Sequence, residues 1–128
     1  MNKETAEAIR KLNDAIERLK EGVRESSSDL ECDGTIQRFE FTFELFWKAI
    51  KVCLQQKGVL VQTPRDALKE AFRLQLITQE KKFSEMLDDR NITTHIYDKE
   101  ESRKIFAKIK KNYFPLIQET VRKLNKMV

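Results

Sequence analysis

Apolar residues recur along the chain at helical spacing. Ile9, Leu12, Ile16, Leu19 and Val23 follow intervals of three and four, which places them on one stripe of a long first helix with charges on its other faces. That helix should end near Ser26-Ser27-Ser28. A second helix, starting around Asp33 or a little earlier, carries Ile36, Phe39, Phe43, Phe46, Trp47, Ile50 and Leu54. With Phe41 added, large rings crowd a short stretch and cannot all share one stripe, so this helix is either central to the fold or covered by another chain. Gly58 is placed to stop it. Thr63-Pro64-Arg65-Asp66 then reads as a capping threonine, a proline at the first helical position and a first-turn carboxylate. The third helix is short, with Ala67, Leu68, Ala71 and Phe72 turned inward. Thr78 is the candidate cap of a fourth, running through Phe83, Met86 and Leu87 toward Arg90. Asp98, with Glu101 three residues on, opens a fifth through Ile105, Phe106, Ile109, Tyr113, Leu116, Val121 and Leu124, which Pro115 should kink or break.

Composition sharpens this outline. Gly (3) and Pro (2) are too scarce for the many turns of a β protein. A length of 128 residues suits one core. The reading is one all-α domain over residues 1–128, an antiparallel up-and-down bundle of about five helices. Every apolar run is broken by a charge well short of a membrane span, and the sequence after Met1 lacks a signal-peptide pattern, so a cytoplasmic chain without a membrane is expected. Cys32 and Cys53 are far apart, and with one histidine in the chain no Cys/His zinc site can be assembled. No metal or other cofactor is implied. The net charge of +4 and pI near 9.1 permit a nucleic-acid partner without demanding one.

The chemistry concentrates in Asp89-Arg90-Asn91-Ile92-Thr93-Thr94-His95-Ile96-Tyr97-Asp98, around that lone histidine. Three β-branched residues weaken the fourth helix here, so His95 and Tyr97 fall at its junction with the fifth. In an uninterrupted helix Asn91 and His95 would share a face, while Arg90 would lie roughly 140° round from His95. A bend or a second subunit is then needed to aim both at one point. Imidazole can take a proton from a ribose 2′-hydroxyl and return one to the leaving oxygen, and a guanidinium can bind the phosphoryl oxygens as charge builds. On spacing alone the bland alternative is a helix-end histidine, with Arg90 paired to Asp88 or Asp89.

Arg90-Asn91-x-x-x-His95 resembles the Arg, polar residue, spacers and His signature of HEPN domains, and Tyr97 extends it to the longer R-x4-H-x-Y form. "RFEFTFELFWKAIK", "TPRDALKEAFRLQLI" and "MLDDRNITTHIYD", with Ile105-Phe106 and Tyr113-Phe114-Pro115-Leu116, resemble in order the HEPN subgroup labelled nucleotidyltransferase substrate-binding proteins. The likeness covers nearly the whole chain. It implies a homodimeric helical bundle that binds a minimal nucleotidyltransferase, as in toxin-antitoxin pairs, with a metal-independent ribonuclease site where two subunits meet. Carried over, Arg90 is the phosphate-binding cation, His95 the acid/base, Asn91 the orienting polar group and Tyr97 the acceptor of AMP from the partner. RNA is the implied substrate. The alternative is a non-catalytic substrate-binding subunit that completes a two-component nucleotidyltransferase; the chain has no carboxylate pattern after a Gly-Ser turn, so nucleotidyl transfer itself would come from the partner. Three lesser features follow from the residues themselves. Arg103, Lys104, Lys108, Lys110 and Lys111 form a candidate basic strip, Trp47 reads as core or dimer interface, and Asp88-Asp89 as groups orienting Arg90 or His95.

Overall fold

The computed structural model describes residues 2–127, and these form an all-helical bundle. Its elements are α1 (Lys3–Glu25), α2 (Asp29–Gln56), α3 (Pro64–Arg73), α4 (Glu80–Ile92), a 3₁₀ turn (Thr93–His95), α5 (Lys99–Lys108), a π-helical segment (Ile109–Tyr113) and α6 (Phe114–Asn125).

Cross-helix pairs give the directions. Arg38 reaches back to Glu21 and to the Arg18 carbonyl, and Thr42 to that of Ala15, so α1 and α2 are antiparallel. Phe46 stacks on Phe83 and Glu44 meets Arg90, which sets α4 antiparallel to α2. Asp29 pairs with Arg103, Asp33 accepts from Ser102 and Phe39 stacks on Tyr113, so α5 runs parallel to α2. Reciprocal amide bonds between Asn13 and Asn125 close α6 onto α1. The result is the expected up-and-down bundle, with the short α3 packed between α2 and α4.

Caps explain where several helices begin and end. Ser28 accepts from the Glu31 amide while the Glu31 carboxylate accepts from the Ser28 and Ser27 amides, a reciprocal box that starts α2 at Asp29, a little before Asp33. Those backbone bonds, with the two serine hydroxyls, hold the Glu31 carboxyl down to about 2. Gly58, at φ 81°, ends α2 as expected: its amide bonds the Gln55 carbonyl and that of Val59 the Leu54 carbonyl. Thr63 caps α3 and Asp98 caps α5.

Other expectations need correction. Thr78 does not cap α4; Gln79 precedes that helix without a side-chain cap. Phe72 is 45% exposed, because α3 buries only the narrow stripe Ala67, Leu68 and Ala71. Pro115 does not break the helical run, which is distorted before it instead. The turn before it widens, with the Phe114 amide donating to the Ile109 carbonyl five residues back, which makes room for the proline ring and its missing donor. The aromatic excess on α2 is resolved inside the chain. Phe39, Phe43 and Phe46 are wholly buried and Trp47 nearly so, because α2 is central and packs against α1, α3, α4 and α5. Phe41, half-buried, lies beneath the Arg18 guanidinium at 4.8 Å. Those rings therefore give no reason to require a second chain.

The α1–α2 contact is close at Gly22, where an added Cβ would sit 2.4 Å from the Thr35 hydroxyl oxygen. Thr35 is buried and its hydroxyl is engaged with that of Ser26 at 2.7 Å. Gly22→Ala should therefore destabilise the fold by about 1–3 kcal/mol despite alanine's better helix propensity, read as a lower urea midpoint.

Candidate functional site

α4 presents its apolar residues Phe83, Met86 and Leu87 to the core and ends in the motif-bearing segment. Its last turn tightens where the β-branched residues begin. Thr93 turns inward and its hydroxyl donates to the Arg90 carbonyl at 2.8 Å, a second bond to the acceptor that its own backbone amide also reaches. Ile96 packs on the core. His95 and Tyr97 face solvent between and beyond these anchors, Tyr97 with 86% of its surface exposed.

Asp88, Asp89 and Arg90 are consecutive, so they point about 100° apart around the helix. Each reaches a different neighbour. Asp88 pairs with Arg65 of α3 at 2.7 Å. Asp89 accepts from Tyr113 and pairs with Lys108 at 3.2 Å. Arg90 pairs with Glu44 of α2 at 2.8 Å. The expectation that the two aspartates orient Arg90 or His95 is overturned by this arrangement, since both are spent on tying α4 to other helices. Tyr113 is buried and also donates to Glu85 at 3.2 Å; burial, and then the Asp89 and Glu85 carboxylates, push its phenol far above the ordinary range, so it stays a donor. The π segment sets this tyrosine against α4.

Arg90 is half-buried. Its Nη2 donates to Glu44 Oε2, and its Nη1 donates to Asn91 Oδ1 at 3.3 Å. Arg90 and Asn91 are thus brought together, while no hydrogen bond joins His95 or Tyr97 to either among the described residues. Glu44 had no signal in the sequence, because 46 positions separate it from Arg90, with α3 and two loops in between.

The basic strip is largely cancelled. Arg103 pairs with Asp29 at 2.6 Å, Lys104 with Glu100 at 3.5 Å and Lys108 with Glu85 and Asp89, all of which lowers the charge available to an RNA backbone. Trp47 is core, as expected, with its indole N–H donating to Glu44. Cys32 and Cys53 are buried free thiols, both pushed up in pKa by that burial. Among the described residues no group of three or more His, Cys, Asp or Glu could hold a metal ion, and no helix is long and apolar enough to cross a membrane.

Residues 3–126 match the family described as nucleotidyltransferase substrate binding protein like. Over 81 residues the chain is 40% identical to a Haemophilus influenzae protein named a probable ribonuclease HepT, a match covering 59% of this chain and 56% of that one. The chain thus spans little more than half the length of this curated relative. A Thermus thermophilus protein of known crystal structure is 32% identical, with a TM-score of 0.83 over 88% of this chain and 98% of its own. A crystal structure described as a toxin-antitoxin with AMP-PNP shares the fold at 20% identity, with a TM-score of 0.67 over 97% of this chain and 99% of its own.

Proposed function

Because the chain belongs to the nucleotidyltransferase substrate-binding family, a HEPN-type group, we infer that it is a metal-independent endoribonuclease, the toxin of a pair controlled by a minimal nucleotidyltransferase. The supporting observation is the segment Arg90–Tyr97: a braced guanidinium is followed, across one tight turn, by an imidazole and a phenol that are both open to solvent. The likeness to a probable ribonuclease supports the same reading.

In this proposal His95 removes the proton of a ribose 2′-hydroxyl, whose oxygen attacks the adjacent phosphorus. The 5′-oxygen leaves with a proton from a second imidazole, giving a 2′,3′-cyclic phosphate and a 5′-hydroxyl. Arg90 holds the phosphoryl oxygens as negative charge accumulates, and Asn91 orients the guanidinium. The second imidazole comes from the other subunit of a homodimer, since each chain has one histidine. Ile92, half exposed on the same segment, is an apolar contact for that subunit. Tyr97, being exposed, is the AMP acceptor. Its oxygen attacks the α-phosphorus of ATP in the partner's site, releasing pyrophosphate, and the added negative charge then repels RNA phosphate. The pair would act in the cytoplasm, where RNA and ATP are both available.

Purified chain, with mass spectrometry showing Tyr97 unmodified, should cut a defined single-stranded RNA in EDTA and leave 2′,3′-cyclic phosphate ends. Intact RNA under those conditions sinks the reading. The family description favours a second one, a subunit that presents substrate to the nucleotidyltransferase. That reading expects partner-dependent nucleotidyl transfer that falls on Arg90→Ala, without RNA cleavage by this chain.

A further inference from the structure

Glu44 lies 46 positions before Arg90, on the central helix, and three donors share its carboxylate. Oε2 accepts from Arg90 Nη2 at 2.8 Å and from the Trp47 indole at 3.1 Å. Oε1 lies 3.2 Å from the Lys48 ammonium. Trp47 is 9% exposed and fixed in the core, so the carboxylate is braced from inside the bundle. Burial raises the pKa of Glu44, but the bonds from Trp47 and Lys48 and the charges of Lys48 and Arg90 outweigh it, and the net shift is downward.

A guanidinium has five N–H donors in one plane. Two of those of Arg90 are taken, by Glu44 and Asn91, which fixes the plane and leaves three without a protein acceptor among the described residues. The counter-ion does not abolish the local positive charge, because Lys48 and Arg90 share a single carboxylate. The cluster therefore has the two properties a phosphate site needs, a fixed donor plane and a net charge of one sign.

We propose that Glu44 is the positioning residue of Arg90, holding its guanidinium in the orientation that meets the RNA phosphate. This rests on the ribonuclease reading for its consequence in catalysis, but not for the effect on Arg90 itself. Removing the carboxylate raises the local charge by one, so electrostatics alone would tighten RNA binding. Loss of orientation acts in the opposite sense on turnover, since a misplacement near 1 Å can cost about a hundredfold. The two effects separate in KM and kcat.

The test is steady-state cleavage of a fluorogenic single-stranded RNA by wild type, Glu44→Gln and Glu44→Ala. The near-isosteric amide keeps one oxygen for Arg90 and Trp47. Turnover should fall about tenfold with Gln and about a hundredfold with Ala, with KM no higher than in wild type. Wild-type kcat in Glu44→Ala, or a loss confined to a raised KM, overturns the proposal. NMR of the Arg90 guanidinium provides a readout independent of cleavage. Wild type should show hindered Nε–Cζ rotation and Glu44→Ala free rotation; identical Arg90 signals in the two overturn it. If wild type cuts no RNA while Arg90 is freed in Glu44→Ala, the ribonuclease reading fails and the positioning role stands.

Discussion

RNA cleavage by the His95→Ala chain is expected to fall by about 10²–10⁴-fold, while its melting temperature stays that of wild type. The two parts of this expectation have separate origins. His95 is exposed at the end of the 3₁₀ turn, and the turn is held by Thr93 and Ile96, which pack inward on either side of it. Deleting the imidazole therefore removes the proposed proton carrier, while Thr93 and Ile96 still hold the turn. Arg90→Ala is the instructive companion. It strips Glu44 of one ion pair and leaves a half-buried gap on α2, so that variant should lose both activity and some stability. A His95→Ala chain that cuts RNA at the wild-type rate would show that the proton is moved by another group. A chain that loses activity only because it has unfolded would reveal itself in the melt.

The largest effect on stability is expected at Phe46. Its side chain is completely buried, stacked on Phe83 of α4 at 5.7 Å and tilted against Phe43 at 6.2 Å. Phe46→Ala removes the ring from the contact between the central helix and the motif-bearing helix, and the surrounding rings can fill the space only in part. A loss of about 3–5 kcal/mol in the free energy of unfolding follows. For a domain whose total stability is of order 5–15 kcal/mol, that is a large fraction. Urea titration followed by circular dichroism measures it, and a midpoint within error of wild type would show that the α2–α4 contact is not a principal support of the bundle.

Helix identity and most of the core were legible because amphipathic spacing and capping chemistry are local signals. Thr63-Pro64, Asp98 and Gly58 could each be read from a few residues. The end of α3 could not. It closes with the same backbone pattern as α2, the Leu76 amide on the Ala71 carbonyl, yet Gln75 occupies the left-handed position at φ 62° where glycine would have announced it. The widened turn before Pro115 was hidden for another reason: proline signals a conflict with the regular helix but not which geometry resolves it. In the candidate site, the segment from Arg90 to Tyr97 could be named from its residue types, but its supports could not. Glu44, Lys108 and Tyr113 come from other helices, and no periodicity connects a carboxylate on α2 with a guanidinium on α4.

The outward fan of Asp88, Asp89 and Arg90 to three different neighbours has a dynamic consequence. The last turn of a helix is ordinarily the part that frays first, because its carbonyls lack partners. Here that turn is tethered to three other parts of the bundle, contacts that oppose its rotation and unwinding. Its amides should therefore exchange with solvent more slowly than those of a helix end without such tethers.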